Sequence, residues 1–422
     1  MARLYFGTDG VRGVVGEDLT AGLVERLGRA ATAWAGGGDV LIGRDTRGSG
    51  PELEEALARG VLSAGGRAAL AGVLPTPAVA LLASGGLGAV ISASHNPPEY
   101  NGVKFFDAGG GKLTDAAEEE IEALLDASPG SSRGTLERVE GAADAYLKLV
   151  LERFGTDLAG VRLAVDCANG AYAGIAPEAL RRLGAEVTAV GNGPDGTNIN
   201  VGCGATDVSL LQETVRGGTY DLGVAFDGDG DRMVAVDAAG ESIDGDATLA
   251  VLALGLGVDT VAVTTMTNLA FHRLMEGHGV RVLTTDVGDR YVLEALRREG
   301  AVLGGEQSGH IVYLNGHVTG DGLAAALLLC RVLEGRPLAE AAAVLVSYPQ
   351  AKENIRAARR ELTPALHEAV AAANAELADE GRVLVRPSGT EPLIRVLAEA
   401  QGVARARELC DRIATLVRRE LG

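Results

Sequence analysis

The chain has 422 residues, 47% hydrophobic and 23% charged, with 60 glycines and a net charge of −19. That length exceeds one compact core and predicts two to four domains, while the acidity excludes nucleic acid, whose binding needs a basic surface to displace counterions. The glycines show no period and read as loop residues, and no apolar run of about 18 residues escapes glycine interruption, so no membrane contact is expected. The start, Met1-Ala-Arg-Leu-Tyr-Phe-Gly, has no signal-like core, and Cys167, Cys203, Cys330 and Cys410 form no CxxC pair, which fits a reducing cytoplasm.

Near the start, Gly7-Thr-Asp-Gly-Val-Arg-Gly13 and Gly43-Arg-Asp-Thr-Arg47 each set arginine beside glycine in a loop. Either fits a phosphate contact, on Ser94 or on a ligand, and either fits a surface ion pair. Helices are predicted at 20–34 and 51–63, and strands at 39–43, 68–74 and 89–92. The apolar run 87–90 leads into Ile91-Ser-Ala-Ser-His-Asn-Pro-Pro98, where the prolines force the chain out of the strand and leave Ser94 at an abrupt turn beside His95. Asn101-Gly102 then returns Lys104 within reach. Hydroxyl, imidazole, amide and amine thus share one short segment, which by itself fits a nucleophile site or an ordinary polar loop. The chain has only four lysines against 38 Lys plus Arg, and arginine does not transfer protons, so Lys104 is a candidate acid or base.

A Ser-Pro-Gly-Ser-Ser run at 128–132 and a helix at 143–154 precede a boundary near 155. Strands at 161–166, 222–226 and 233–236 and a helix at 176–183 follow. Phe226-Asp-Gly-Asp-Gly-Asp-Arg232 ends the second of these strands. Its carboxylates at i, i+2 and i+4 share one side of an extended chain and repel one another without a cation, which suits a hard oxygen-liganded ion such as Mg²⁺. An EF-hand is excluded, because Arg232 stands at its sixth position and Ala238 at its twelfth.

A second boundary falls near 245, followed by strands at 260–265 and 280–284 and a helix at 269–276. Gly304-Gly-Glu-Gln-Ser-Gly-His310 is rich in hydrogen-bonding groups. Glu306 and Ser308 suit sugar hydroxyls, and His310 suits either proton transfer or a structural role. From Tyr348 the texture changes to a helix at 364–378, strands at 382–385 and 393–397, and a helix at 404–421. Arg386-Pro-Ser-Gly-Thr-Glu-Pro-Leu-Ile-Arg395 joins those strands and fits a phosphate cradle or a plain hairpin turn. The fold class is α/β, with domains at 1–155, 156–245, 246–347 and 348–422.

The serine, DGDGDR, GEQSGH and RPSGTEPLIR loops, in that order over essentially the whole chain, resemble the α-D-phosphohexomutase superfamily. The opening Phe6-Gly-Thr-Asp-Gly-Val-Arg-Gly13, the segment Val287-Gly-Asp-Arg-Tyr-Val292 and Gln307 look like its glucosamine-phosphate branch. The phosphomannomutase/phosphoglucomutase relatives typically carry methionine at the Gln307 position. The resemblance implies three similar α/β domains with mixed, mostly parallel sheets and a smaller C-terminal α+β domain around a central cleft. It makes Ser94 a phosphoserine that completes a site for one Mg²⁺ with Asp227, Asp229 and Asp231. Lys104 and His310 match proton-transfer positions, Arg12 and Arg232 flank the transferring phosphoryl group, and His95 stands with the catalytic set. Glu306, Gln307 and Ser308, with Asp289 and Arg290, match sugar-side positions. Arg386, Ser388, Gly389, Thr390 and Arg395 match the cradle of the non-reacting phosphate.

The implied reaction interconverts glucosamine 6-phosphate and glucosamine 1-phosphate through a 1,6-bisphosphate, with glucosamine or glucose 1,6-bisphosphate as activator, and feeds UDP-N-acetylglucosamine and cell-wall precursors. The alternatives are a phosphomannomutase or phosphoglucomutase, a phosphoserine-dependent phosphatase and a phosphosugar sensor. The only expected partner is a phosphosugar, for a monomer or homodimer, and closure of the last domain predicts a hinge near 345–360. One departure stands out: the family commonly has Gly-Ser-Thr-His where this chain has Gly204-Ala-Thr-Asp207.

Overall fold

A computed structural model describes residues 4–7, 9–83, 85–126, 128, 134–357, 359, 361–387 and 393–422. The described chain divides into two compact units, 1–266 with 280–343, and 267–279 with 344–422. Among the described residues no helix is long and apolar enough to cross a membrane.

The larger unit holds three sheets. In the first, Asp39–Arg44 pairs in parallel with Arg67–Val73 and Leu87–Ile91, and Arg67–Val73 with Thr135–Arg138. Tyr100–Phe106 then runs antiparallel to Leu87–Ile91 and to Val11–Val14. In the second, Arg162–Asp166 is parallel to Glu186–Val190 and Leu222–Phe226, with Met233–Asp237 and Ser242–Ile243 added antiparallel. In the third, Thr260–Thr264 is parallel to Arg281–Thr285 and Leu303–Gly305, and Ile311–Tyr313 closes antiparallel. The smaller unit has one antiparallel sheet of Gln350–Arg356, Leu393–Ala400 and Gly381–Pro387, covered by Pro364–Leu377 and Val403–Leu421.

Central strands such as Leu87–Ile91, Leu222–Phe226 and Thr260–Thr264 are buried at every residue, as continuous apolar runs in a helix-covered parallel sheet should be. Each motif loop joins an antiparallel pair. The serine loop links 87–91 to 100–106, the DGDGDR loop 222–226 to 233–237, the GEQSGH loop 303–305 to 311–313, and the RPSGTEP loop 381–387 to 393–400. A hairpin connection stays at the sheet end, whereas a parallel crossover would carry the chain across the sheet face. The architecture is α/β with mixed, mostly parallel sheets, as expected. The segment 350–356, inside the expected hinge region, is a strand of the smaller unit's sheet, paired along its length to Leu393–Ala400.

Candidate active site

Ser94 leaves its strand with φ +51°, a left-handed conformation that costs a residue other than glycine about 1–3 kcal/mol. It is 1% exposed, and its hydroxyl donates to Asp227 Oδ2 at 2.6 Å. His95 Nδ1 lies 3.2 Å from the Ser94 hydroxyl oxygen. The serine and acidic loops meet so closely because Gly228 has no side chain: a Cβ there would lie 2.6 Å from the Ser94 carbonyl oxygen.

Asp227, Asp229 and Asp231 are all buried, with carboxylate oxygens within 4.8 Å of one another. Burial, with the charges of Asp231 and Asp229, pushes the Asp227 carboxyl well above its usual range. Burial would raise Asp231 too, but Lys104, His310 and Arg232 outweigh it and hold that group ionised. Asp229 is oriented by Thr76, whose hydroxyl donates to Oδ2 at 2.7 Å and whose N–H donates to the Asp229 carbonyl at 2.9 Å. Among the described residues Asp229 Oδ1 and Asp231 Oδ1 are buried without a hydrogen-bond donor. Three convergent carboxylates with such orphaned oxygens fit a hard dication.

Cations ring this cluster. The Lys104 ammonium lies 2.7 Å from Asp229 Oδ2, 2.9 Å from Asp9 Oδ2 and 3.6 Å from Asp231 Oδ2. Burial opposes its charge, but Asp229, Asp9 and Asp231 hold its pKa far above the ordinary value. Asp9 also accepts from Lys112 at 2.5 Å and pairs with Arg12, and Lys112 bonds Asp289. His310 sits between Asp231 and Asp289, Nδ1 at 3.7 Å and Nε2 at 3.5 Å, and these neighbours raise its pKa against the effect of burial. Its seat depends on Gly320, where a Cβ would lie 2.2 Å from His310 Nε2. Burial, with Arg232 and Arg12, lowers His95 to about 4, so its imidazole is neutral at pH 7. Arg232 lies beside Asp231 at 3.8 Å.

The structure thus brings Ser94, His95, Lys104, Arg12, Arg232, Asp227, Asp229, Asp231, Asp289 and His310 together. Glu306 borders them, accepting from Gly288 N–H at 3.2 Å, with its carboxyl raised by burial, and Ser308 is exposed in the same loop. Two sugar-side expectations are placed differently. Gln307 directs its amide toward Asp244 and Asp246, 3.4 and 3.3 Å away at the start of helix Gly245–Leu256. Arg290 is buried in ion pairs with Asp115 and Glu118, because its position in helix Asp289–Glu299 faces helix Asp115–Ala123. In the smaller unit, Arg386 and Arg395 are directly opposed across the antiparallel pair. Ser388, Gly389 and Thr390 lie outside the described residues.

Sequence reasoning did not assign Asp9, Lys112 or Thr76 to the site. Asp9 stands within the same glycine-rich segment as Arg12, and Lys112 is one of only four lysines, which were the available signals.

Four sequence models match the chain: phosphoglucomutase/phosphomannomutase alpha/beta/alpha domain I at residues 3–129, domain II at 144–240, domain III at 244–348 and the C-terminal domain at 330–416. The phosphoglucosamine mutase of Pelotomaculum thermopropionicum is 46% identical over 98% of this chain and 99% of its own length. That of Moorella thermoacetica is 49% identical over 93% and 94%. Among solved structures, a phosphoglucomutase/phosphomannomutase family protein from Burkholderia thailandensis superposes with a TM-score of 0.84 at 25% identity, covering 99% of this chain and 98% of that one.

Proposed function

The chain belongs to the phosphoglucomutase/phosphomannomutase family and, within it, to the phosphoglucosamine mutases, and from that membership we propose that Ser94 carries the phosphoryl group between glucosamine 6-phosphate and glucosamine 1-phosphate. The observation that carries this reading is the Ser94 hydroxyl, 2.6 Å from Asp227, at the edge of three buried carboxylates, two of which keep an unsatisfied oxygen. Asp227, Asp229 and Asp231, with an oxygen on Ser94, would hold Mg²⁺. When bound, that ion would neutralise charge developing on the transferring phosphoryl group.

The residues divide the remaining work. Phosphoserine 94 gives its phosphoryl group to the sugar O1, whose proton leaves, forming the 1,6-bisphosphate. After the intermediate turns over, the phosphoryl group on O6 returns to Ser94 and glucosamine 1-phosphate departs. Arg12 and Arg232 offset phosphoryl charge, and Lys104 and His310 move the protons, Lys104 as a donor because Asp229, Asp9 and Asp231 keep it protonated. Glu306 and Ser308 orient sugar hydroxyls, and Asp289 supports His310. Arg386 and Arg395, with Ser388, Gly389 and Thr390, hold the phosphate that is not reacting, since the bisphosphate must be retained in both orientations. Glucosamine or glucose 1,6-bisphosphate would restore phosphoserine lost to hydrolysis. A cytoplasmic setting is part of this reading, supported by four cysteines with no disulfide among the described residues.

The test combines turnover with intact mass. The wild type should interconvert the glucosamine phosphates with a higher kcat/KM than glucose or mannose phosphates, and should gain about 80 Da at Ser94 with glucose 1,6-bisphosphate. Ser94→Ala should abolish both while leaving Tm unchanged. A preference for mannose phosphates, or an active Ser94→Ala, would sink the reading.

A further inference from the structure

Arg47 reads from sequence as a candidate phosphate contact, yet its guanidinium has no donor to spare. It is fully buried, and its five N–H groups meet five acceptors. Nε donates to Asp45 Oδ2 at 3.0 Å, Nη2 to the carbonyls of Ser94 at 3.0 Å and Asn96 at 2.7 Å, and Nη1 to those of Tyr100 at 2.9 Å and of Pro97. The other side of Ser94 is fixed from the same root. Asp45 Oδ2 accepts from the Ser92 hydroxyl at 2.6 Å, and the Ser92 oxygen accepts from Ser94 N–H at 2.8 Å. Asn200 reaches in from the second sheet's domain, its Nδ2 donating to the Ser94 carbonyl at 2.9 Å and to that of Asn96 at 3.2 Å.

A left-handed serine persists only where its surroundings over-determine it. Here the N–H and the C=O of Ser94 are both tied, and none of these ties uses the hydroxyl. We propose that Arg47 is a positioning residue, assisted by Asp45 and Asn200, that holds the Ser94 backbone in its left-handed conformation and so aims the hydroxyl at the acidic cluster. The inference rests on the reading that Ser94 carries the phosphoryl group. Lysine cannot replace arginine in this role, because a single ammonium with three donors cannot span four carbonyls and a carboxylate.

Four proteins test it: wild type, Arg47→Lys, Asn200→Ala, and Leu57→Ala, which removes a fully buried core side chain from helix Gly50–Ser63 without touching the loop. Each is assayed for kcat and KM with glucosamine 6-phosphate, for the rate at which Ser94 gains phosphate from glucose 1,6-bisphosphate by intact mass, and for Tm. Arg47→Lys should lose about 100-fold in kcat and in phosphate uptake with KM unchanged. Asn200→Ala should lose less, in the same two quantities. Leu57→Ala should lose Tm alone. Wild-type kcat and uptake in Arg47→Lys would overturn the inference, as would a loss of activity no greater than Leu57→Ala shows at equal loss of Tm. Should Arg47→Lys fail to fold, unchanged uptake in Asn200→Ala overturns it. A wild type with neither turnover nor phosphoserine overturns the proposed function itself, and the inference with it.

Discussion

His310 shows how a single side chain can depend on an atom that is missing elsewhere. The imidazole is 3% exposed and held between two carboxylates, and the space for its ring exists because residue 320 is glycine. Gly320→Ala should therefore push the ring off Asp231 and Asp289 and lower kcat by about 100-fold, with Tm reduced only modestly. Steady-state kinetics with a thermal melt would check this, and an unchanged kcat would show that the ring has room to spare. Ser94 and the three aspartates were legible in the sequence because their chemistry is local, a turn forced by two prolines and carboxylates at every second residue. Asp9, Lys112 and Thr76 were not, since each acquires its role from partners more than 100 residues away. Arg47 is legible as a cation in a glycine-rich loop but not as one enclosed by carbonyls, because a sequence does not reveal what will surround a guanidinium.

Helices and strands that serve the site also hold the larger unit together. Arg290 ties helix Asp289–Glu299 to helix Asp115–Ala123 through Glu118 at 2.7 Å and through Asp115. Arg290→Met should cost about 3 kcal/mol of stability, as expected on breaking a buried ion pair, and leave the KM for glucosamine 6-phosphate unaltered; urea melts and kinetics would separate the two. Asp321 caps helix Gly322–Leu333 and also accepts from the hydroxyls of Tyr146 at 2.8 Å and Tyr172 at 2.7 Å, with His317 Nε2 2.9 Å away. Burial alone would raise this carboxyl, but His317, the Ala324 N–H and Tyr172 hold it below its usual value. A depressed native pKa means that the unfolded chain binds more protons in the acid range. The stabilisation is then complete above an ordinary aspartate pKa of about 3.9 and fades as pH falls through the lower native value. Asp321→Asn should thus be less stable than wild type at pH 7, with a gap that narrows steadily below about pH 4 in urea melts. The main strands and helices were readable from apolar runs and helical periodicity. Among the strands that were not, 11–14 and 100–106 carry polar residues that turn inward to the site and break the alternation a strand reading needs, while 135–138, 186–190, 303–305, 311–313 and 350–356 were also unread.

At the scale of the molecule, 57 acidic residues outnumber 38 basic ones, so positive charge is scarce. The larger unit buries a few of these cations. Arg47, Lys104 and Arg290 are buried, and Lys112 is nearly so. An overall negative field repels a sugar phosphate at long range, and in the proposed reaction the attraction comes from the cations beside the acidic cluster, Lys104, Arg12 and Arg232. The four-domain organisation is what the family resemblance implies, with boundaries near 155, 245 and 348 marked by changes of texture along the chain. For the serine, DGDGDR and GEQSGH loops the sequence leaves invisible that each closes an antiparallel pair, because pairing direction depends on which strands become neighbours.

The distribution of the four lysines makes the protein its own reporter. Lys148 and Lys352 are exposed, whereas Lys104 is 2% exposed and Lys112 is enclosed by Asp9 and Asp289. An amine-acetylating reagent should modify the first two at once and the second two only as fast as the carboxylate cluster opens. Peptide mass mapping over time would read that opening directly, and equal rates at all four lysines would show that the enclosure is not maintained in solution. The same contrast recommends amine coupling for attaching the enzyme to a support, because the lysines of the acidic cluster are the enclosed ones.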